Sequence, residues 1–426
     1  MTLLVHGFLR CMLVYHLLHT VLVYGAGVSD PFVFSVLKDG LRIGIVVVSL
    51  LFLLIQKKWR NALQSIVRPA VGVGVLVIMS YLMRYPAEGD MLSFLIGIKY
   101  DLYPLVVLVT AGVVAIAYVC YTHTHKKAAQ KLLRMIFGVV MTALIGGYIR
   151  QISKLLFPDL LSWFGYGPVG DYLLGEHPPL YYRTWPGGMM RLSGLFAWPN
   201  NYGYFLVAFF SRTVRYTTTK ISTKRKQRAI AVLYMIAVVR TLSRGARIGI
   251  GVQLVALARW RYPQRRRYVP WLIGVGCLWF IGISRYKAWS TIGHLVARQD
   301  WLQALMTNIR GYGPWSAWPS VHYAGVYLPE NQYLQILLDI GIHGFIIRIA
   351  VIVLVLRALK ARSREHRSQS LTPAVQALVL GFLGLAVEGL FLHVLEDSAV
   401  NYLFFVSLRL VAAMQHQQVK STSLPS

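Results

Sequence analysis

A chain of 426 residues that is 56% hydrophobic and 14% charged, with a mean hydropathy of +0.54, holds more apolar side chain than one water-soluble core can hide. That balance excludes an ordinary soluble enzyme or binding module and points to a polytopic membrane protein. The net charge of +29 raises nucleic acid as a partner, because clustered Lys and Arg neutralise phosphates by counterion release. The basic residues nevertheless stand in short runs between apolar stretches, the pattern that membrane orientation requires, so no nucleic-acid partner is expected.

A helix crosses the hydrocarbon core with about 20 apolar residues. On that measure the chain predicts spans at roughly 6–25, 40–56, 65–83, 100–121, 132–150, 200–213, 228–241, 246–259, 269–284, 332–356, 372–394 and 398–414. The expected fold is all-α: one polytopic transmembrane domain over 1–426 with about 12 helices, the runs at 200–213, 228–241 and 246–259 being the shortest. The first run lacks a basic start and a small-residue cleavage site, so it reads as the first span and not as a leader. Cys11, Cys120 and Cys277 lie in or beside apolar runs without metal or redox spacing and read as buried hydrophobes.

The loops give an independent check, because cytoplasmic connections carry the excess of Lys and Arg. With the N-terminus inside, "KKWR" at 57–60, "HKKAAQKLLR" at 125–134, "SRTVRYTTTKISTKRKQR" at 211–228, "RWRYPQRRR" at 259–267 and "RALKARSREHR" at 357–367 all fall on one side. Of the 15 acidic residues only Glu365 sits in such a loop. Two long outward loops remain, about 151–199 and 285–331, rich in Trp, Tyr, Gly and Pro. Loops far longer than the usual connection point to function.

Three outward stretches carry candidate chemistry: Arg191 in "RLSGLFAWPNNYG", Arg244 and Arg247 in "TLSRGARIG", and Glu330 with Asn331 in "PENQYLQ". Arginine suits a diphosphate at a membrane surface, since its fixed fork makes bidentate bonds and keeps its proton; each could equally anchor a helix end at the headgroups. Against the orientation rule these arginines lie on the side poor in basic charge, outward and without a predicted packing role. Glu330 has two open readings: a charge favouring a helix N-terminus that Asn331 caps, or a general base that takes a proton from a hydroxyl. Arg298 and His322 are further substrate-binding candidates, each with an ordinary structural role as its alternative. The pair His123 and His125 lacks carboxylate or thiol partners, so no metal is expected. "GYGP" at 311–314 reads as a turn, Glu396 and Asp397 as caps, and Asp339 and Glu388 as ionisable residues inside spans that could pair within the bundle.

In sequence order, "IKYDLYPL", "RLSGLFAWPNNYGYFL", "TLSRGARIG", "ARQDWLQALMTNIRGYGPW" and "ENQYLQILLDIGIHGF" resemble the O-antigen ligase and polymerase superfamily, the Wzy/WaaL-like membrane glycosyltransferases. The resemblance spans about residues 90 to 400. It implies a helical bundle in the bacterial inner membrane with its site facing the periplasm. Such a protein moves a glycan from an undecaprenyl-diphosphate carrier to an acceptor hydroxyl on a glycan or lipid A core, without metal or cofactor. The family's diphosphate-binding arginines carry over onto Arg191 and Arg244, with Arg247 as an added neighbour. Where many members place a basic His before the Asn of this segment, this chain has Glu330. The competing expectation is a transporter or flippase for an anionic lipid-linked sugar.

Overall fold

A computed structural model describes residues 7, 31–57, 72, 75, 106–118, 120, 128–157, 159, 190–196, 198–220, 223–261, 299–312, 331–365, 372–391, 394 and 400–411. These are helical with no strand among them, in order α1 (Pro31–Ile55), α2 (Val106–Tyr118), α3 (Ala128–Leu156), α4 (Pro199–Lys220), α5 (Lys224–Thr241), α6 (Arg244–Arg261), α7 (299–307), α8 (Gln332–Glu365), α9 (Thr372–Glu388) and α10 (Val400–Val411). The predicted spans near 6–25, 65–83 and 269–284 lie wholly or almost wholly outside the described residues.

Two stretches, Arg134–Leu156 and Gln332–Ala350, are long and apolar enough to cross a membrane; Ile43–Ile55, Val106–Tyr118, Ala374–Glu388 and Val400–Val411 are shorter apolar helices. Ile145, Ile149, Ile152 and Leu156 on α3 recur at helical spacing and are 50%, 59%, 53% and 64% exposed, a continuous apolar stripe. Contiguous apolar surface of this kind calls for a non-aqueous neighbour, and together with the two long helices it associates the chain with a membrane.

Helix limits differ from hydropathy limits for a physical reason. The 200–213 run is only the apolar part of α4, which continues through "RYTTTK" because backbone bonds, and not apolarity, end a helix. Likewise α3 runs to Leu156, so the loop expected from 151 begins with helix, and the one expected from 285 contains α7.

The centre of the fold is a double hairpin, α4 to α5 to α6. Pro199 opens α4 at a first position where its missing N–H costs nothing. Between α4 and α5 only 221–223 intervene, and Lys224, Arg225, Lys226 and Arg228 are exposed there. At the far end, Leu242 turns the chain with φ 52°, ψ 22°, its N–H donating to Val239 O, and Ser243 Oγ caps α6 by accepting from Ala246 N at 3.3 Å. The 18 residues of α5 separate these two turns by about 27 Å at 1.5 Å per residue.

Helix α9 completes the centre by lying antiparallel to α6 and α4. A Cβ on Gly249 would stand 2.9 Å from Gly384 O, and one on Gly381 would overlap Ala208 O and meet the Phe404 ring at 3.0 Å. Backbones this close need small residues, the usual device where helices pack in apolar surroundings. A buried amide ties the same crossing: Gln253 Nε2 donates to Val207 O and its Oε1 accepts from Ser211 Oγ, both at 2.7 Å. Phe205, Phe209, Phe404, Phe405 and Phe382 then stack edge to face behind it, linking α4, α9 and α10.

One helix is broken. Gly341 in α8 has φ 69°, ψ −170°, and the turn after α7 fills the gap: Tyr312 N donates to Leu338 O at 2.6 Å and Ile342 N to Ile309 O at 3.1 Å. The "GYGP" turn is thus a turn as expected, with Gly311 at φ 88°.

Gly381→Ala should lower stability by about 1–3 kcal/mol through overpacking at the α4–α9 contact. Thermal unfolding of the detergent-purified variant checks this.

Candidate functional site

The site is built where the α5–α6 turn, the 190–196 segment, the end of α3, the start of α8 and the end of α9 meet. Residues 190–196 run beside the turn, Leu192 N donating to Arg240 O at 2.8 Å. Arg191, 9% exposed, donates through Nε to Thr241 O and through Nη2 to Asn200 Oδ1, both at 2.7 Å. Arg247, 8% exposed, donates through Nη2 to Val239 O at 2.8 Å. Both cations therefore brace the carbonyl end of α5, where the helix dipole favours positive charge, and the two guanidinium groups repel each other. Arg244, at the first position of α6, is half-buried and more open than either.

This corrects the expectation that Arg191 has no packing role. Its bonds hold the 190–196 segment, the α5 end and the α4 start together. A guanidinium carries five N–H donors, so bracing the protein with some leaves the side chain chemically able to meet an anion with others.

The start of α8 joins the same end through α9. Asn331 Oδ1 accepts from Tyr333 N at 2.9 Å and Leu334 N at 3.1 Å, the helix cap that the sequence implied. Its Nδ2 donates to Leu390 O at 2.9 Å, Gln332 N donates to Gly389 O at 3.0 Å and Tyr333 OH to Ala386 O at 2.5 Å. Asn331 is thus a cap and a tether, which explains its position without a ligand. One turn away, the Glu388 side chain packs on the first turn of α6: a Cβ on Gly245 would lie 2.9 Å from Glu388 Cγ.

Two cations that the sequence reading passed over complete the cluster. Arg150 Nη1 donates to Gly194 O at 3.0 Å and Phe196 O at 2.7 Å, and buried Lys154 reaches Ser193 Oγ at 3.5 Å. The signal was present: both stand at the outward end of the predicted 132–150 span, against the orientation rule in the same way as Arg244. Five basic side chains thus gather at one end of the bundle, the far end of α5 from the exposed Lys224–Arg228 run.

Glu330, Arg298 and His322 lie outside the described residues, as do His123, His125, Glu396, Asp397, Cys11 and Cys277. Cys120 is half-buried and packs against the cluster of Leu53, Val113 and Ala117. Among the described residues no three or more His, Cys, Asp or Glu side chains gather as a metal would need. Glu388 does not pair with Asp339 as the sequence had suggested it could: neither of its carboxylate oxygens has a hydrogen-bond partner among the described residues. No family model, no curated protein and no solved structure matches this chain.

Arg191→Ala removes two charge-assisted bonds worth about 1.5–3 kcal/mol each, less what relaxation recovers, so a loss near 3 kcal/mol is expected. Arg244→Ala should stay within about 1 kcal/mol of wild type. Parallel melting curves of the two purified variants test the contrast.

Proposed function

We propose that the chain is a multi-pass glycosyltransferase of the bacterial inner membrane. On this reading it moves an undecaprenyl-diphosphate-linked oligo- or polysaccharide to an acceptor hydroxyl at the periplasmic face, as an O-antigen or surface-polysaccharide polymerase or as an O-antigen ligase. The observation that carries it is the convergence of Arg191, Arg244 and Arg247 at one end of the α4–α5–α6 hairpins, opposite the exposed basic turn at 224–228. About 12 spans with long outward loops at 151–199 and 285–331 remain the topology that the hydropathy pattern supports.

The chemistry needs no metal. The acceptor oxygen attacks the anomeric carbon from the face opposite the carrier and inverts it. As the new C–O bond forms, the bond from that carbon to the phosphate oxygen breaks and its electron pair leaves with the diphosphate. Arg244 meets this developing charge, with Arg191 and Arg247 adding fixed positive potential behind it; preorganised charge of this kind is commonly the largest catalytic contribution. In this scheme Glu330, placed where relatives of the resembled family carry a basic His, takes the hydroxyl proton. Arg298 and His322 would line the glycan path.

A second reading, a transporter or flippase for the same anionic lipid-linked sugar, has one observation in its favour. α8 is interrupted at Gly341 near the middle of the Gln332–Ala350 stretch, and broken helices near a midplane are the device by which transporters expose backbone groups to a substrate.

Membranes of the native host, which contain donor and acceptor, separate the two. Transfer predicts release of undecaprenyl diphosphate that falls at least 100-fold in Arg244→Ala; carrier moved across vesicles with its glycan still attached would instead establish transport. At position 330, activity in Glu330→His but not Glu330→Gln supports a base, and full activity in Glu330→Gln reduces the residue to a helix-start charge. Glycan profiles of a deletion strain divide the sub-readings: single repeat units retained without long chains mean a polymerase, and lipid-linked polymer with bare acceptor means a ligase.

A further inference from the structure

Glu388 is fully buried, with both carboxylate oxygens lacking a hydrogen-bond partner among the described residues. A buried polar group left unbonded is costly, a buried charge more so, and an apolar residue of similar volume would serve packing better. An ionisable group kept at such a cost inside an apolar bundle marks a functional position.

Its surroundings say what it lacks. The side chain lies along Gly245, with Oε1 3.5 Å from where a Cβ would stand, so only glycine at this place in "SRGAR" leaves room for it. Gly245 follows Arg244 directly and is two residues from Arg247. On its other side the last turn of α9 is held by the start of α8, through Gln332 N to Gly389 O, Asn331 Nδ2 to Leu390 O and Tyr333 OH to Ala386 O. Glu388 therefore sits between the first turn of α6, which carries the arginines of the transfer reading, and the start of α8.

Donor and acceptor arithmetic then selects a ligand. Arginines only donate and so require an acceptor such as a phosphate oxygen; a carboxyl in either protonation state keeps an oxygen that accepts and so requires a donor, and when neutral it donates as well. A diphosphate oxygen has no hydrogen to give that accepting oxygen, whereas a sugar hydroxyl both donates and accepts and so satisfies the carboxyl in either state. We infer that Glu388 is the acceptor-sugar ligand of this site, receiving a hydrogen bond from a hydroxyl of the incoming glycan beside the arginine-held diphosphate. Glu388 is fully buried as the structure stands, so the proposed contact forms when the packed end around it opens to admit the sugar.

The inference rests on the transfer reading, and its test keeps the two apart. Host membranes carrying Glu388→Leu, Glu388→Gln or wild type are assayed for release of undecaprenyl diphosphate, and each purified protein is measured for binding of undecaprenyl diphosphate itself and for melting temperature. Expected for Leu is a loss of release of 100-fold or more, with carrier affinity within threefold of wild type and a melting temperature equal or higher, since an unbonded polar group has been removed. Expected for Gln is release within about tenfold of wild type, because its amide oxygen still accepts. Leu with wild-type release, Leu with a lowered melting temperature or lost carrier binding, or Gln as inactive as Leu would each overturn the assignment. Wild-type membranes that release no carrier at all would instead remove the transfer reading beneath it.

Discussion

The close crossing of α6 over α9 is the constraint from which the rest follows. Because Gly249 meets Gly384 with no side chain between them, the next turn of each antiparallel helix must also touch, and that turn brings Gly245 against Glu388. A larger residue at any of these glycines would lift the helices apart and take the carboxylate away from the first turn of α6. Gln253 fixes α6 against α4 in the same layer, since its amide bonds Val207 and Ser211 at once. Contact distance in the middle of the bundle thus sets side-chain positions at its end.

The end itself is held by polar bonds to backbone in addition to the apolar packing of Leu192, Leu195 and Phe196 in the core. Arg191 and Arg247 both donate to the last carbonyls of α5, Arg150 to two carbonyls of the 190–196 segment, and Asn331 to the turn after α9. Each pins a chain end or an irregular segment whose backbone acceptors no helix satisfies. The arrangement lets cations serve twice, stabilising helix termini through their dipoles while concentrating positive potential in one place. It also makes the roles of Arg191 in folding and in charge inseparable by simple truncation, which gives the more open Arg244 its value.

How much of this was legible in the sequence depends on which physical property carries the signal. Helicity and the apolar segments were legible because hydropathy reports them directly, and the convergence of "RLSG", "SRGAR" and "NQY" at one end followed from counting spans. The cap at Asn331 was legible because capping is a local property of three consecutive residues. Arg150 and Lys154 were missed although they break the same orientation rule, because a span limit drawn by hydropathy cut α3 near Arg150 and hid their common helix. The bracing of α5 by Arg191 was not legible at all: it depends on a bond across 50 positions of sequence. The break at Gly341 was likewise hidden, since an isolated glycine in an apolar helix usually costs little, and only the neighbouring 308–312 turn makes its positive φ necessary.

Several features that break local rules meet at one turn. Leu242, a branched residue in the left-handed region, stands at the α5–α6 turn; like-charged Arg191 and Arg247 face each other beside it; Lys154 is buried close by; and Glu388 is buried without a bond across the first turn of α6. The one other non-glycine residue of positive φ among those described, Lys57, ends an exposed helix where little depends on it. Elsewhere in the bundle the pattern is mixed: Gln253 and Ser211 bond each other and Tyr234 OH donates to Leu206 O, while the buried hydroxyls of Ser49 and Tyr118 have no hydrogen-bond partner among the described residues. A hydroxyl left unbonded costs less than a carboxyl, so Glu388 remains the costlier exception. Backbone strain and buried ionisable groups cost stability that apolar packing would not, and their meeting where α5 turns into α6 is why the proposed transfer chemistry is assigned to that end.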